Sequence, residues 1–191
     1  MLDRLRGRLE AYFGVVGRLF SRLEGSPTVW TSVGLVLSIS SGVAYSYGNY
    51  GGQLIGGGLV LSAGWFDIVD GAVARVTGRT SKRGAFLDST IDRVAEVIIF
   101  IGILVGQLAP PVFILSALSL SLLVSYTRAK GDALGIRLSG VGIGERSERM
   151  LILAFASLAG ICGWGVVLVA IVAGCTFLER TFRAVRALGK P

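Results

Sequence analysis

The chain has 191 residues, 52% of them hydrophobic, a formal net charge of +7 and a mean hydropathy of +0.70. This composition leaves too little polar surface to cover a water-exposed globule, and its apolar content excludes a disordered chain. The two cysteines are too few for a disulfide scaffold, and the absence of histidine excludes Ser-His-Asp catalysis and the HExxH zinc motif. The composition therefore predicts a basic integral membrane protein.

Residues 1–24 predict an amphipathic helix, because apolar side chains recur at helical spacing between five arginines. Such a helix lies in the membrane interface. No uninterrupted apolar stretch precedes a small-residue cleavage site, so the segment does not resemble a signal peptide. We therefore expect two parts, an interfacial helix over 1–24 and a membrane domain over 25–191.

Six apolar segments follow, and each predicts a transmembrane helix, since about 20 residues cross about 30 Å of hydrocarbon. In chain order they are 28–47, 53–76, 85–106, 111–128, 149–162 and 164–182. The fifth is short unless its polar N-terminal end extends it. The predicted fold is all-α, with six transmembrane helices and an N-terminal interfacial helix.

The distribution of charge predicts the orientation. The segments between predicted helices one and two, three and four, and five and six carry no charge, and the lysines and arginines lie elsewhere. By the positive-inside rule, both termini and the loops after helices two and four are cytoplasmic, in a multi-pass protein of the cell membrane. The basic segment 179–190 would contact anionic headgroups.

The charge pattern and the glycine pattern each argue against one kind of ligand. The basic residues are spread over four predicted cytoplasmic segments beside a membrane, which argues against nucleic-acid binding. The consecutive glycines Gly56, Gly57 and Gly58 favour close helix packing over phosphate binding.

Four aspartates lie within the apolar segments: Asp67, Asp70, Asp88 and Asp92. A single aspartate at the membrane centre costs about 2.5–3.5 kcal/mol, so these four need compensation. Asp67 and Asp70 are three residues apart and Asp88 and Asp92 are four apart, so each pair shares a helix face. Because the two helices are consecutive and antiparallel, we expect the pairs to converge.

Three hypotheses account for the carboxylates. They could form buried ion pairs with Arg75 and Arg93, but two arginines cannot neutralise four carboxylates. They could line a path for divalent-metal transport, although both pairs lie near one membrane face. They could instead hold two divalent cations, and oxygen-only ligation favours Mg²⁺ or Mn²⁺. We favour the third hypothesis, because two such ions clamp the attacking and leaving oxygens in phosphoryl-type transfer.

At these residues the chain resembles the CDP-alcohol phosphotransferase family. Asp70-Gly71-x-x-Ala74-Arg75, eight further residues and Gly84-x-x-x-Asp88-x-x-x-Asp92 match its signature DGxxAR…GxxxDxxxD at every fixed position. The six-helix layout with an interfacial helix extends the resemblance over essentially the whole chain.

The resemblance implies a site and a reaction. Asp67, Asp70, Asp88 and Asp92 would bind two Mg²⁺ or Mn²⁺ ions, with Asp92 also the general base. An acceptor hydroxyl would attack the lipid-side phosphorus of a CDP-linked lipid, and CMP would leave by direct transfer without a phosphatidyl-aspartate intermediate. The family also implies a homodimer.

The resemblance further implies a nucleotide site. Small residues would leave room for the nucleotide, and Arg75 would face the diphosphate; ordinary small-residue packing and snorkelling of the arginine are the alternatives. Thr28 replaces the asparagine of the family's Pro-Asn-x-x-Thr stretch. The residues implied for CDP-lipid binding are Thr31, Asp70, Gly71, Ala74, Arg75 and Gly84.

Four basic residues bracket the predicted cytoplasmic mouth of the site: Arg128, Lys130, Arg146 and Arg149. Arginine forks suit a phosphate dianion, although such charges also occur as ordinary cytoplasmic loop charge. The two segments resemble those of phosphatidylinositol-phosphate synthases and their archaeal counterparts that make archaetidylinositol phosphate, which implies inositol 1-phosphate as acceptor. Glycerol 3-phosphate, which would give phosphatidylglycerophosphate, is the alternative, and charge alone does not separate the two.

Overall fold

The computed structural model describes residues 27–77 and 81–189, with side chains described for 31–69 and 81–189. Within these ranges the secondary structure is helical and contains no β-strand. The helices are α1 (Pro27–Ser46), α2 (Tyr50–Thr77), α3 (Lys82–Val105), α4 (Pro111–Ala133), α5 (Arg146–Leu158) and α6 (Cys162–Leu188). The predicted all-α class is confirmed, whereas the predicted interfacial helix at 1–24 lies outside the described residues.

The helix boundaries follow from local chemistry. The Ser81 hydroxyl accepts a hydrogen bond from the Gly84 amide at 3.0 Å and caps α3. Pro111 begins α4, where its missing N–H costs no helical hydrogen bond. α5 begins with a capping box between Glu145 and Glu148, three residues earlier than the sequence predicted.

Among the described residues, three helices are long and apolar enough to cross a membrane, by length and composition: the Tyr50–Val69 part of α2, α4 and α6. α3 has the length, but it carries charged residues in its first four turns. α5 has 13 residues, or about 20 Å at 1.5 Å per residue, which is shorter than the hydrocarbon layer. The prediction of six helices is therefore confirmed for the described ranges, whereas that of six full spans is not.

The helices form two groups that share one apolar core. α1 packs against α2 and α3, α4 packs against α6, and α5 joins the groups by packing against α2 and α6. The shared core includes Tyr45, Val60, Ile99, Phe100, Ile103, Ile114, Leu153, Val166 and Val169. Within it, the Tyr45 hydroxyl donates to Ser157 Oγ at 2.8 Å, which satisfies a buried phenol.

Glycines set how closely the helices approach. A Cβ on Gly102 of α3 would collide with the backbone of Gly42 on α1. A Cβ on Gly57 would lie 2.9 Å from the Ala154 carbonyl oxygen of α5, and one on Gly56 would lie 2.8 Å from the Tyr45 ring. The predicted packing role is thus confirmed for Gly56 and Gly57, whereas a Cβ on Gly58 would meet nothing within 4 Å.

We expect Gly102→Ala to lower the stability of the protein, because the added methyl group forces α1 and α3 apart. Overpacking of this kind costs about 1–3 kcal/mol. Gly58→Ala is the matched control: it adds the same methyl group to open space and gains up to about 1 kcal/mol in helix propensity. Thermal unfolding in detergent measures both changes, and equal melting temperatures for the two variants would contradict the packing account.

Candidate active site

A cleft of about 1030 Å³ opens between α3, α4 and the beginning of α5, with one residue from α2. Its charged lining includes more carboxylates than cations, which favours the binding of positive ions. The charged residues among the described lining are Asp67, Asp88, Asp92, Arg93, Arg128, Asp132, Glu145 and Arg146.

Three of the predicted aspartates converge in this cleft. Asp67 on α2 and Asp88 and Asp92 on α3 each offer a carboxylate oxygen, and these oxygens all lie within 4.8 Å of one another. The i,i+4 spacing on α3 places Asp88 and Asp92 on the face that is turned towards α2. The predicted convergence is confirmed for these three residues. Asp70 lies on α2, and its side chain is outside the described set.

Charges of opposite sign lie against the cluster. Arg146 Nη1 is 2.6 Å from Asp92 Oδ1 and 3.5 Å from Asp67 Oδ2, and Arg93 Nη1 is 3.6 Å from Asp92 Oδ2. The ion pair with Arg93 was among the sequence hypotheses, whereas the pairs with Arg146 were not. Arg146 follows the aspartates by more than fifty residues, and only the fold brings it to them. The side chain of Arg75 is outside the described set.

The four basic residues predicted to bind the acceptor lie in three different environments. Arg128 and Arg146 line the cleft. Lys130 is exposed on α4 and is not part of the described cleft lining. Arg149 is fully buried, and its guanidinium donates to the Glu96 carboxylate and to the Gly144 carbonyl. The predicted role of Arg149 in binding the acceptor phosphate stays a prediction.

Among the predicted nucleotide-binding residues with described side chains, Thr31 lies beside the carboxylate cluster. Thr31 of α1 lines a small cavity of about 20 Å³ together with Asp67, Asp92 and Arg146. Gly84 lies in the first turn of α3. Gly71, Ala74 and Arg75 belong to the last turns of α2, and nothing of their side chains is described.

The loop between α4 and α5 is held against α6 by close packing. Gly142 has a φ of +81°, and a Cβ there would lie 2.5 Å from Thr176 Cγ2, so the position suits only glycine. A Cβ on Gly144 would lie 2.7 Å from Thr176 Oγ1. The two glycines let the loop approach α6 closely enough to place Arg146 beside the aspartates.

A buried arginine fixes the same loop by hydrogen bonds. Arg180 of α6 donates to the carbonyl oxygens of Val141 and Val124 at 3.0 Å each and to Glu145 Oε1 at 3.1 Å. Glu145 Oε1 also accepts from the Gly140 amide and lies 3.9 Å from Arg128 Nη1. Arg128 is therefore tied to the network that holds the loop.

Sequence reasoning missed Glu96, Glu145 and Arg180. Glu96 follows Asp92 by four residues, so the helical spacing that paired Asp88 with Asp92 would also have placed Glu96 on that face. In the sequence, Arg180 is one of several basic residues of the C-terminal segment. Its contacts with the Val124 and Val141 carbonyls depend on tertiary packing, and no sequence spacing indicates them.

A second cavity, of about 290 Å³, adjoins the carboxylate cluster between α2 and α5. Asp67 and Arg146 line it at one end, and most of its remaining lining is apolar, including Val60, Ile99 and Met150. Trp65, Ile68 and Leu151 also line it and are exposed on the outer surface. The cavity thus connects the polar cluster to an apolar surface.

Comparisons with known proteins show the family of the chain. The family model for CDP-alcohol phosphatidyltransferase matches residues 25–178. Archaetidylinositol phosphate synthase from Pyrococcus horikoshii is 36% identical over 189 residues, covering 98% of each chain. These matches favour an enzyme over the alternative of divalent-metal transport.

Two solved structures of Mycobacterium tuberculosis phosphatidylinositol phosphate synthase are similar to this chain, each at 26% identity. The one with CDP-DAG bound has a TM-score of 0.76 and covers 90% of this chain and 92% of its own. The one in complex with manganese and citrate has a TM-score of 0.78 and covers 91% and 88%. On the family match and the identity over nearly the full length, this membrane protein belongs to the CDP-alcohol phosphatidyltransferase family.

Proposed function

We propose that the protein transfers the phosphatidyl-type or archaetidyl group of a CDP-linked lipid to a hydroxyl of inositol 1-phosphate and releases CMP. The observation that carries this proposal is the meeting of the Asp67, Asp88 and Asp92 carboxylates with Arg146 and Arg128 in one cleft. A carboxylate cluster suits metal-assisted phosphoryl transfer, and neighbouring arginines suit a phosphorylated acceptor. The similar proteins named above are an archaetidylinositol phosphate synthase and a phosphatidylinositol phosphate synthase, which supports the same acceptor.

Asp67, Asp70, Asp88 and Asp92 are the proposed ligands of two divalent cations. Their donor atoms are all carboxylate oxygens, the chain has no histidine, and the set therefore fits Mg²⁺ or Mn²⁺ better than zinc. The manganese complex of the similar mycobacterial enzyme supports the use of a divalent cation. Such cations, when bound, stabilise charge on the phosphoryl oxygens during transfer.

Asp92 is the proposed general base. Its Oδ1 atom lies 2.6 Å from Arg146 Nη1, so an acceptor whose phosphate pairs with Arg146 has its hydroxyls within reach of the Asp92 carboxylate. Asp92 accepts the hydroxyl proton as the acceptor oxygen bonds to the lipid-side phosphorus. The bond from that phosphorus to CMP breaks, and CMP leaves with the electron pair.

The remaining predicted residues bind the lipid substrate in this proposal. Thr31, Gly71, Ala74, Arg75 and Gly84 surround the nucleotide and diphosphate beside the carboxylates. The apolar cavity between α2 and α5 ends at Asp67 and Arg146, so it suits the apolar portion of a lipid whose diphosphate lies at the cluster. The apolar part of the lipid would enter this cavity directly from the bilayer, without passing through water.

The membrane arrangement belongs to the same proposal. The chain crosses the membrane with six helices, its interfacial helix at 1–24 lies on the cytoplasmic surface, and the cleft and both termini face the cytoplasm. The uncharged connections between α1 and α2, α3 and α4, and α5 and α6 support this orientation. The protein acts as a homodimer.

A panel of acceptors tests the substrate. With one CDP-linked lipid and Mg²⁺ or Mn²⁺, we expect the fastest CMP release with inositol 1-phosphate, slower release with glycerol 3-phosphate, and little with inositol or serine, because Arg128 and Arg146 bind a phosphate dianion. Fastest release with glycerol 3-phosphate would contradict inositol 1-phosphate as the acceptor. Preference for unphosphorylated inositol would remove the phosphate-binding role of the arginines.

We expect Asp92→Asn to reduce turnover by at least about 100-fold, since an amide of the same shape accepts no proton from the acceptor. The matched control is Glu179→Gln, which makes the same chemical change at an exposed position on α6 and should leave turnover unchanged. CMP release measures both. Wild-type turnover in Asp92→Asn would exclude Asp92 as the base.

Cation binding provides a test that does not depend on turnover. We expect Mn²⁺ titration, followed by electron paramagnetic resonance, to detect binding to the purified protein, and Asp67→Asn or Asp88→Asn to weaken it by at least about tenfold. Glu179→Gln again serves as the control. Chelation should abolish CMP release, and unchanged Mn²⁺ affinity in both aspartate variants would contradict the assignment of the cluster as a metal site.

A further inference from the structure

One carboxylate of the cleft lies outside the proposed metal site and has no protein partner. Asp132 of α4 lines the cleft and is exposed. Glu145, which also lines the cleft, accepts hydrogen bonds from Arg180 and from the Gly140 amide. Among the described residues, none forms a hydrogen bond or an ion pair with the Asp132 carboxylate. This carboxylate is therefore available to a ligand in the cleft.

The stability of α4 does not explain an acidic residue at this position. Asp132 lies in the last turn of the helix, where the free carbonyl groups form the negative end of the helix dipole. A basic side chain such as that of Lys130 is favourable there, whereas a carboxylate is unfavourable. The charge of Asp132 thus opposes the local helix field, and its contribution has to be sought in the cleft.

Asp132 shares one face of α4 with Arg128. The two residues are four apart, so Asp132 lies about 6 Å further along the helix axis on the same side. Ser125 and Ala129, which belong to the same face, line the cleft as well. Arg128 pairs with Glu145, at 3.9 Å, and not with Asp132. The cleft wall therefore presents a cation and, one turn away, an unpaired carboxylate.

These two charges suit two different parts of a sugar-like phosphate. A carboxylate repels a phosphate, so Asp132 does not assist the binding of a phosphate at Arg128. Its two oxygens instead accept charge-assisted hydrogen bonds from neighbouring hydroxyl groups. Inositol 1-phosphate retains several ring hydroxyls besides the one that attacks, whereas glycerol 3-phosphate retains a single one. A carboxylate one helical turn from the phosphate site therefore favours the ring.

We propose that Asp132 is a specificity-determining residue that accepts hydrogen bonds from ring hydroxyls of the acceptor. This inference rests on the proposed function, in which Arg128 and Arg146 bind the acceptor phosphate. Asp92 then receives the proton of the attacking hydroxyl, and Asp132 provides a third contact that orients the ring. A site that hydrogen-bonds substrate hydroxyls discriminates against analogues that lack them. Asp132 thus separates inositol 1-phosphate from glycerol 3-phosphate, which phosphate binding alone does not.

The test is Asp132→Ala in the full-length protein in detergent. We expect kcat/KM for inositol 1-phosphate to fall at least about tenfold and that for glycerol 3-phosphate to change less than about twofold, because only the former loses hydroxyl contacts. The affinity for Mn²⁺ should stay within about twofold, since Asp132 does not belong to the carboxylate cluster. An unchanged preference between the two acceptors would overturn the role of Asp132. Failure of the wild type to use inositol 1-phosphate would contradict the proposed function, and with it this role.

The matched control is Glu179→Ala, which removes a carboxylate from an exposed position on α6. It should leave kcat/KM for both acceptors unchanged. A change of preference equal to that in Asp132→Ala would show a general effect of net charge and would overturn the proposal.

Analogues of inositol 1-phosphate that each lack one ring hydroxyl test the contact itself. With the wild type, loss of a hydroxyl that Asp132 binds should lower kcat/KM at least about tenfold. With that analogue, Asp132→Ala should cause less than about twofold further loss, because the contact is already absent. Wild-type kcat/KM with every analogue, or additive losses with every analogue, would overturn the proposal.

Discussion

Charge compensation among packed helices is the constraint on which this structure depends. Carboxylates on α2 and α3 cost about 2.5–3.5 kcal/mol each at the membrane centre if left alone. Arg93 and Arg146 lie against the cleft carboxylates, and Arg149 compensates Glu96 deeper in the protein. The pairs made by Arg146 and Arg149 also connect α5 to α3. The interactions that make the charges tolerable therefore also determine the geometry of the site.

Glycines allow the close packing of helices and loops that positions the charged side chains. Close approach of Gly42 and Gly102 brings α1 against α3, and Gly142 and Gly144 bring the loop before α5 against α6. The approach at Gly142 and Gly144 places Arg146 where it contacts aspartates that lie more than fifty residues earlier in the chain. The site thus combines a local arrangement, in which Asp88 and Asp92 share one face of α3, with long-range contacts that depend on close packing of the backbone.

The sequence predicted the part of this arrangement that follows from spacing. Helical periodicity placed Asp88 and Asp92 on one face, and the antiparallel connection brought Asp67 to them. The motif over residues 67–92 indicated the family. Spacing could not show that Arg149 is buried on Glu96 or that Arg180 holds Glu145, because both contacts cross between helices. It also predicted both ends of α5 three to four residues too late in the chain, because hydropathy shows neither the capping box at Glu145 nor the end of the helix before Gly160, which has a φ of +75°.

The central claim is that this cleft joins a phosphorylated polyol to a CDP-linked lipid through Asp92 and its neighbours. Phosphorus NMR of the lipid product after incubation with inositol 1-phosphate tests it most directly, because the technique distinguishes a phosphodiester from a phosphomonoester. The account predicts a lipid with one of each, formed in equal amounts with CMP and absent in Asp92→Asn. CMP release without acceptor, or a lipid product that lacks the phosphomonoester, would contradict it.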